Sequence, residues 1–220
     1  MTDQHSHSGQ TGHAAPDHPL ERLIFFSDAV FAIAITLLII EVHPPHLPHG
    51  APWQAYTTSL YDLTPNFFGF FVSFFVIGAF WSGHHRAFGL AGQYSEKLLA
   101  PNLQMLCAIV FMPFATAFMG ANLGALVPSL LYAVTLIVTG LLSMRLSRMA
   151  TSPGVVRADV PAEAIAIVRA RGGGVVLGAL VAIGLAFVVA PFSQVGLITI
   201  PAWQWLLRRR ALRRLARTAA

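Results

Sequence analysis

Charged side chains are scarce in this sequence, and their scarcity indicates the class of protein. Asp, Glu, Lys and Arg make up 10% of the 220 residues, whereas hydrophobic residues make up 55% and the mean hydropathy is +0.65. A soluble domain carries about 25% charged residues, so this composition cannot cover a water-facing surface. We therefore expect a polytopic membrane protein. Soluble enzymes and nucleic-acid-binding domains are largely excluded.

Cysteine and lysine are nearly absent as well. Cysteine occurs once, at Cys107 in an apolar run, so the sequence has no disulfide framework. Lysine occurs once, at Lys97, and the other 13 of the 14 basic residues are arginines. The first twenty residues contain no Lys or Arg, so we expect no cleaved signal peptide. The net charge of +5 is explained by membrane topology, and we expect no nucleic-acid partner.

Six apolar segments approach the roughly 20 residues that a helix needs to cross a bilayer core. They run over residues 23–42, 63–83, 98–118, 124–144, 173–190 and 195–207. The sixth is short and closely follows Pro191, so we expect it to form a tight helical hairpin with the fifth. The fold prediction is an all-α protein with six transmembrane helices in a domain that covers residues 21–207.

The basic residues fall on one side of this six-span topology. Arg22 precedes the first span, and Arg86 and Lys97 flank the loop after the second. The others follow the fourth span (Arg145, Arg148, Arg157, Arg169, Arg171) or the sixth (Arg208, Arg209, Arg210, Arg213, Arg214, Arg217). The positive-inside rule then predicts that both termini are cytoplasmic, in the inner (plasma) membrane of a cell. Residues 208–220 are predicted to be a basic cytoplasmic tail.

Histidines cluster in two polar segments outside the predicted spans. Residues 1–20 contain His5, His7, His13 and His18, and the loop after the first span contains His43, His46 and His49. Residues 1–20 lack the apolar surface to offset the entropy of ordering, so we expect a disordered cytoplasmic tail. Prolines prevent a regular helix around the loop histidines. Neither segment is predicted to be a metal site. Residues 51–62 are predicted to be a short interfacial helix.

Two carboxylates in the first span are functional candidates, because ionisable groups inside a bilayer are costly. Asp28 lies near the cytoplasmic end and Glu41 near the external end. At the depth of Asp28, the second span supplies several hydrogen-bond donors. We predict a polar network of Asp28, Ser27, Trp81, His84, His85 and Arg86. The network is interpreted either as a structural clasp between helices or as a proton relay that uses a histidine.

A second face of the same helix carries an apolar stripe. Ile33, Thr36, Leu37 and Ile40 occupy positions i, i+3, i+4 and i+7. Such a stripe can pack against lipid or a neighbouring helix, or it can line a pore. The Thr36 hydroxyl can meet a passing ion or bond back to the carbonyl of residue 32. Glu41 either lies at a pore mouth, where it concentrates cations, or belongs to a solvated helix end.

The start of the first span contains the motif R-x-x-x-F-S-D, formed by Arg22, Phe26, Ser27 and Asp28. Two further motifs are W-x-x-H-H-R (Trp81, His84, His85, Arg86) and N-L…F-x-P-F-x-T (Asn102, Leu103, Phe111, Pro113, Phe114, Thr116). With these motifs the chain resembles the prokaryotic branch of the lysosomal (endolysosomal) potassium-channel family. The His-rich tail has no counterpart in that resemblance.

The resemblance implies a homotetramer of six-helix subunits around a central potassium-permeable pore. It implies that helix one lines the pore, with the narrowest ring at Ile33 and further rings at Leu37 and Ile40. Thr36 matches a position implicated in ion selectivity. The T-V-G-Y-G filter of ordinary potassium channels is absent from both the family and this sequence. The implied partners are membrane lipid, potassium ions and other copies of the chain, with no cofactor and no metal site.

The alternative function is a proton-coupled secondary transporter. In that hypothesis Asp28 and His84 or His85 carry protons, and the second half of the chain binds a substrate. A non-conducting membrane scaffold is a third hypothesis, supported only by the small residues Gly174 and Gly178 at GxxxG spacing. An enzyme is not predicted, since the sequence has no recognisable nucleophile–base pair and no phosphate-binding loop.

Overall fold

The computed structural model describes residues 18–219, and within that range the chain is almost entirely helical. Seven α-helices follow one another: α1 (His18–Ile40), α2 (Trp53–Asp62), α3 (Thr64–Gly89), α4 (Leu99–Ala121), α5 (Leu126–Ala150), α6 (Ala162–Val188) and α7 (Ile200–Ala219). Two 3₁₀ helices, Glu96–Leu98 and Ala190–Thr199, precede α4 and α7. The predicted disordered tail lies outside the described residues, apart from its last three residues, which begin α1.

Five helices are long and apolar enough to cross a membrane: Pro19–Ile40, Thr64–Gly89, Glu96–Ala121, Leu126–Ala150 and Ala162–Val188. The prediction of an all-α, multi-pass membrane protein is confirmed. The predicted helix ends are less accurate. The second span continues through Arg86 to Gly89, so the W-x-x-H-H-R motif is helical throughout. The fifth begins at Ala162, and Arg169 and Arg171 therefore belong to a helix, not to a loop.

The glycine triplet 172–174 lies inside α6, at the point where the predicted fifth span began. Three glycines in a row disfavour a helix, yet α6 continues through them, and two neighbouring helices come close to them. A Cβ atom added at Gly172 would lie 2.5 Å from Met144 Cγ on α5, and one at Gly174 would lie 2.4 Å from Gln204 Cγ on α7. The glycines are therefore contact surfaces on which α5 and α7 pack.

The segment 195–207, predicted as the sixth span, is not one continuous α-helix. That region is divided between the 3₁₀ helix Ala190–Thr199 and α7, and neither is among the five helices with the length and composition of a span. Pro191 lies in the first turn of the 3₁₀ helix, where its missing N–H costs no hydrogen bond. The arginines that follow residue 207 make α7 too polar to be a span.

The two parts together form the predicted hairpin with α6. Close contacts join Gly196 with Ala182, Gly178 with Ile200, and Gly174 with Gln204, so the returning chain runs antiparallel to α6. Ten residues of 3₁₀ helix rise about 20 Å, and residues 200–207 add about 12 Å of α-helix. The sum matches the bilayer core of about 30 Å. The two helices together are thus long enough for the predicted sixth crossing, which stays a prediction.

The core of the bundle lies where α1 and α3 pack on α4. Helix α4 in turn contacts α5, α5 contacts α6, and α6 contacts α7. Large side chains without solvent exposure fill the centre, among them Phe31, Ile77, Met105, Ile109, Met112 and Tyr132. Helix α2 contacts only α3 and has no buried residue, with Trp53 and Tyr56 exposed. A short helix is thus present where one was predicted, and its position at the membrane interface stays a prediction.

Gly196 gives a test of the hairpin. A Cβ atom at this position would lie 2.6 Å from the backbone nitrogen of Ala182, and a backbone contact cannot yield as a flexible side chain does. We expect Gly196→Ala to lower the free energy of unfolding in detergent by about 1–3 kcal/mol, as overpacking does. Gly184→Ala on α6 is the matched control, because a Cβ there meets nothing within 4 Å. Equal stability of the two variants would contradict this packing.

Candidate functional site

Helix α1 has two faces with different surroundings. One face is buried in the bundle and consists of Leu20, Leu23, Ser27, Phe31, Ala34 and Leu38. The predicted stripe lies on the other side of the helix. The exposed fractions are 57% for Ile33, 36% for Leu37 and 65% for Ile40, and Thr36 is exposed between them. A single copy of the chain therefore leaves an aliphatic surface uncovered over about 10 Å of helix.

The Thr36 hydroxyl lies on this stripe and donates a hydrogen bond to the carbonyl of Ile33, at 2.9 Å. The expected acceptor was residue 32, so the bond reaches back three residues instead of four. Because the hydroxyl hydrogen is used by the backbone, the Oγ1 lone pairs are directed away from that carbonyl. Thr36 therefore places a side-chain oxygen on an otherwise apolar stripe, where a cation can contact it.

Glu41 lies just beyond the end of α1 and is half-buried. Its backbone carbonyl is 3.0 Å from Nδ1 of His43, in the loop where three histidines were noted. No group of three or more His, Cys, Asp or Glu side chains that could hold a metal ion was found within residues 18–219.

At the other end of α1, Asp28 contacts α3. The indole Nε1–H of Trp81 donates to Asp28 Oδ1 at 2.8 Å. Within the described part of the chain, Arg22, His85 and Arg86 form neither a hydrogen bond nor an ion pair with this carboxylate. The His85 ring lies 5.7 Å from the Trp81 ring, and Arg22 lines a separate cavity of about 540 Å³ next to Phe26. Of the expected donors, the structure brings only Trp81 to Asp28.

Ser27 and His84 meet through Asn102 on α4. The amide Nδ2 of Asn102 donates to Ser27 Oγ at 2.9 Å, and its Oδ1 lies 2.8 Å from His84 Nε2. A carbonyl oxygen only accepts, so Nε2 carries the hydrogen of His84. Ser27 Oγ donates onward to the carbonyl of Leu23 at 2.8 Å. One donor chain thus ties α1, α3 and α4 together in a fully buried position.

Asp28 and His84, the groups of the proposed proton relay, are not hydrogen-bonded to each other. Asp28 bonds to Trp81, whereas His84 bonds to Asn102, and neither an indole nor an amide readily passes on a proton. The His84 ring stacks on Phe88, with 4.4 Å between centroids, and lies 5.5 Å from Phe31. The geometry favours the clasp interpretation of the network.

A second buried polar cluster was not predicted as a site. Thr116 on α4 lies 2.7 Å from Ser73 on α3, which lies 2.9 Å from the hydroxyl of Tyr132 on α5. Thr116 Oγ1 is also 2.8 Å from the carbonyl of Met112. Every hydroxyl is satisfied if Tyr132 donates to Ser73, Ser73 to Thr116, and Thr116 to Met112. Thr116 stood in the third motif, but no sequence spacing connects it with Ser73 or Tyr132.

The contact between Asp28 and Trp81 can be measured by a double-mutant cycle. We expect Trp81→Phe to lower the free energy of unfolding by about 1 kcal/mol more in the wild-type background than in Asp28→Ala, as interhelical hydrogen bonds in membranes do. Trp205→Phe is the control, since Trp205 is also exposed but lies on α7. Additive effects of Trp81→Phe and Asp28→Ala would contradict the contact. Chemical unfolding in detergent micelles gives both values.

Five long apolar helices among the described residues define a multi-pass α-helical membrane protein. The family model described as "Endosomal/lysosomal potassium channel TMEM175" matches residues 22–113. A Streptomyces collinus protein named a potassium channel is 33% identical over 180 residues, which cover 78% of this chain and 84% of that protein. The chain belongs to the TMEM175 family.

A solved structure and an animal relative extend the comparison. The crystal structure of a lysosomal potassium-selective channel TMEM175 homolog from Chamaesiphon minutus matches with a TM-score of 0.70 and 26% identity, covering 88% of this chain and 98% of that one. The human endosomal/lysosomal proton channel TMEM175 is 26% identical over 100 residues, which are 45% of this chain and 19% of the human protein. Membership of an ion-channel family confirms the predictions of a channel that is no enzyme and needs no cofactor.

Proposed function

We propose that this chain conducts potassium passively as a homotetramer, with α1 of each copy around a central pore. The exposed stripe on α1 carries the proposal, because the opposite face of the same helix is buried in the bundle. The stripe lies within the segment that the family model matches, residues 22–113. The Streptomyces relative is named a potassium channel and the Chamaesiphon homolog is titled potassium-selective, which supports potassium as the permeant ion.

In this proposal Ile33 forms the constriction, with Leu37 and Ile40 as further rings toward the outside. An aliphatic ring cannot replace the hydration shell of an ion, so a narrow ring excludes water and ions together. Thr36 supplies a ring of hydroxyl oxygens between the aliphatic rings and contributes to ion selectivity. Glu41 lies at the external mouth, where a carboxylate raises the local concentration of cations.

In this proposal the hydrogen-bond network that joins α1 to α3 and α4 determines the direction in which the stripe points. Asp28, Ser27, Trp81, His84 and Asn102 fix the rotation of α1 against α3 and α4. A rotation or outward shift of α1 widens the constriction and opens the channel. In this proposal α1 therefore moves about this network when the channel opens. Arg22 and Phe26 belong to the R-x-x-x-F-S-D motif but do not contact the carboxylate of Asp28.

The arginines support a topology with both termini in the cytoplasm, in a plasma membrane. Arg148 at the end of α5, Arg169 near the start of α6 and Arg210 on α7 lie at one end of the bundle, around one cavity. The connections at the opposite end, residues 41–52, 122–125 and the turn after α6, contain no Lys or Arg. This asymmetry satisfies the positive-inside rule.

Flux from proteoliposomes tests the proposal. Potassium and sodium efflux are compared on one preparation, with and without a proton gradient, and protein-free vesicles measure the leak. We expect potassium efflux that exceeds sodium efflux, rises linearly with concentration and needs no proton gradient. Efflux that saturates and requires a proton gradient would instead establish the transporter that uses Asp28 and His84 or His85. Equal potassium and sodium efflux would contradict the assignment of potassium as the preferred ion.

A further inference from the structure

A cavity of about 810 Å³ lies between α5, α6 and α7, away from the stripe on α1. Its rim carries four arginines: Arg148, Arg169, Arg210 and Arg214. The remaining lining is apolar, and none of the described lining residues is acidic. Helix α1 contacts α3 and α4 but neither α5, α6 nor α7. If α1 lines the pore, this groove faces the surrounding lipid.

The groove is shaped by small residues on α6. Ala162, Ala166, Ala170 and Gly173 lie along one side of the helix and leave space that larger side chains would fill. Beside Gly173, an added Cβ would meet Leu207 Cδ1 at 2.9 Å, so α6 and α7 come close together there. The apolar lining continues past Gly173 to Val176 and Leu177. The cavity is therefore amphiphilic, with this apolar part as its interior and the arginines as a cationic entrance.

Arg169 is held at this entrance by the backbone of the loop after α5. Its Nε donates to Thr151 Oγ1 and its NH2 group to the Thr151 carbonyl, both at 2.8 Å. A guanidinium has five N–H donors in a fixed plane, and these bonds account for two. The side chain is oriented before any ligand arrives, so binding an anion there costs little further ordering.

We propose that this groove binds an anionic phospholipid, with the phosphate among the arginines and an acyl chain along α6. An apolar interior fits an acyl chain, whereas inorganic phosphate would use only the rim. Basic pockets between membrane helices on the cytoplasmic side are suited to anionic headgroups. A second copy of the chain is the competing occupant, and the oligomeric state of the groove variants distinguishes it from a lipid.

Native mass spectrometry of the full chain, titrated with phosphatidylglycerol or with phosphatidylcholine of the same acyl chains, tests the site. We expect a clear preference for phosphatidylglycerol in the wild type. Arg148→Gln with Arg210→Gln should weaken phosphatidylglycerol binding about thirtyfold, which corresponds to about 1 kcal/mol for each removed charge. Arg145→Gln with Arg213→Gln is the matched control, because it removes two charges from the same helices outside the groove.

Ala170→Phe, at a lining residue between Arg169 and Gly173, provides a test that leaves every charge in place. The added ring fills the apolar interior, so phosphatidylglycerol binding should fall while the circular dichroism spectrum is unchanged. Equal losses in the two double variants would show diffuse attraction and overturn the proposal. Equal binding of the two lipids, or full displacement of phosphatidylglycerol by millimolar inorganic phosphate, would also overturn it. So would a groove variant that loses oligomeric state while its lipid binding is unchanged, since that result would assign the groove to a second copy.

Discussion

Ile33→Asn is expected to raise potassium efflux from proteoliposomes about tenfold. Ile33 is the residue of the exposed stripe nearest the N-terminus of α1, with 57% of its surface exposed in one copy. In the proposed tetramer, four isoleucines exclude water from the constriction, whereas four amides hydrogen-bond to water and keep it wet. A tenfold increase corresponds to about 1.4 kcal/mol less barrier. The rate of potassium-driven fluorescence change in dye-loaded vesicles measures the effect.

Ile39→Asn is the control for this experiment. Ile39 is also exposed and belongs to the same helix, but it lies about 120° around the axis from Ile33. The same chemical change should therefore leave potassium efflux within about twofold of wild type, since the amide does not enter the proposed pore. An increase of the same size in both variants would mean that a polar group anywhere on α1 makes the bilayer leak, and the constriction at Ile33 would be refuted.

Asn102→Leu is expected to have the largest effect on stability. Asn102 has no solvent exposure and bridges Ser27 to His84. Leucine is similar in size but leaves the His84 Nε2–H buried without an acceptor. The other ring nitrogen, Nδ1, already has no hydrogen-bond partner in the structure. An unsatisfied buried donor costs about 1–3 kcal/mol, so we expect a loss of about 2 kcal/mol and a Tm lower by about 4–8 °C.

Gln104→Leu tests whether the loss belongs to the buried cluster. Gln104 lies on the same helix and bonds to Arg145 at the surface, at 3.0 Å. Its replacement should change the free energy of unfolding by less than about 0.5 kcal/mol, as exposed polar contacts do. Thermal unfolding in one detergent compares both variants. If Asn102→Leu unfolded at the wild-type temperature, the series of hydrogen bonds from His84 to Leu23 would not hold α1 in place.

Local patterns in the sequence predicted the first half of the fold and one helix contact. Asp28 and Trp81 were placed at the same depth simply by counting residues from the ends of two spans, and depth alone was enough to pair them. Asn102 had been noticed in a motif, but its bridging role depends on how a third helix is rotated. No spacing within one segment contains that information.

The second half of the fold was harder to predict because its contacts override local preferences. The predicted fifth span began at residue 173, whereas α6 begins at Ala162 and continues through the glycines 172–174, on which α5 and α7 pack. The segment that returns after α6 is built from a 3₁₀ helix and part of α7, so its rise per residue differs from the value used to count spans. The groove between α5, α6 and α7 could not be predicted from the sequence either, because its arginines lie on three helices and were assigned to loops and a tail.

Accessibility of single cysteines along α1 tests the central claim most directly, namely that the stripe of α1 faces the pore. In a Cys107→Ser background, each residue from 32 to 40 is replaced by cysteine, and a membrane-impermeant thiol reagent is added during potassium efflux. We expect block at positions 33, 36, 37 and 40 and none at Ile39→Cys. Block that follows the buried face, or no block at any position despite normal efflux, would contradict a pore lined by α1.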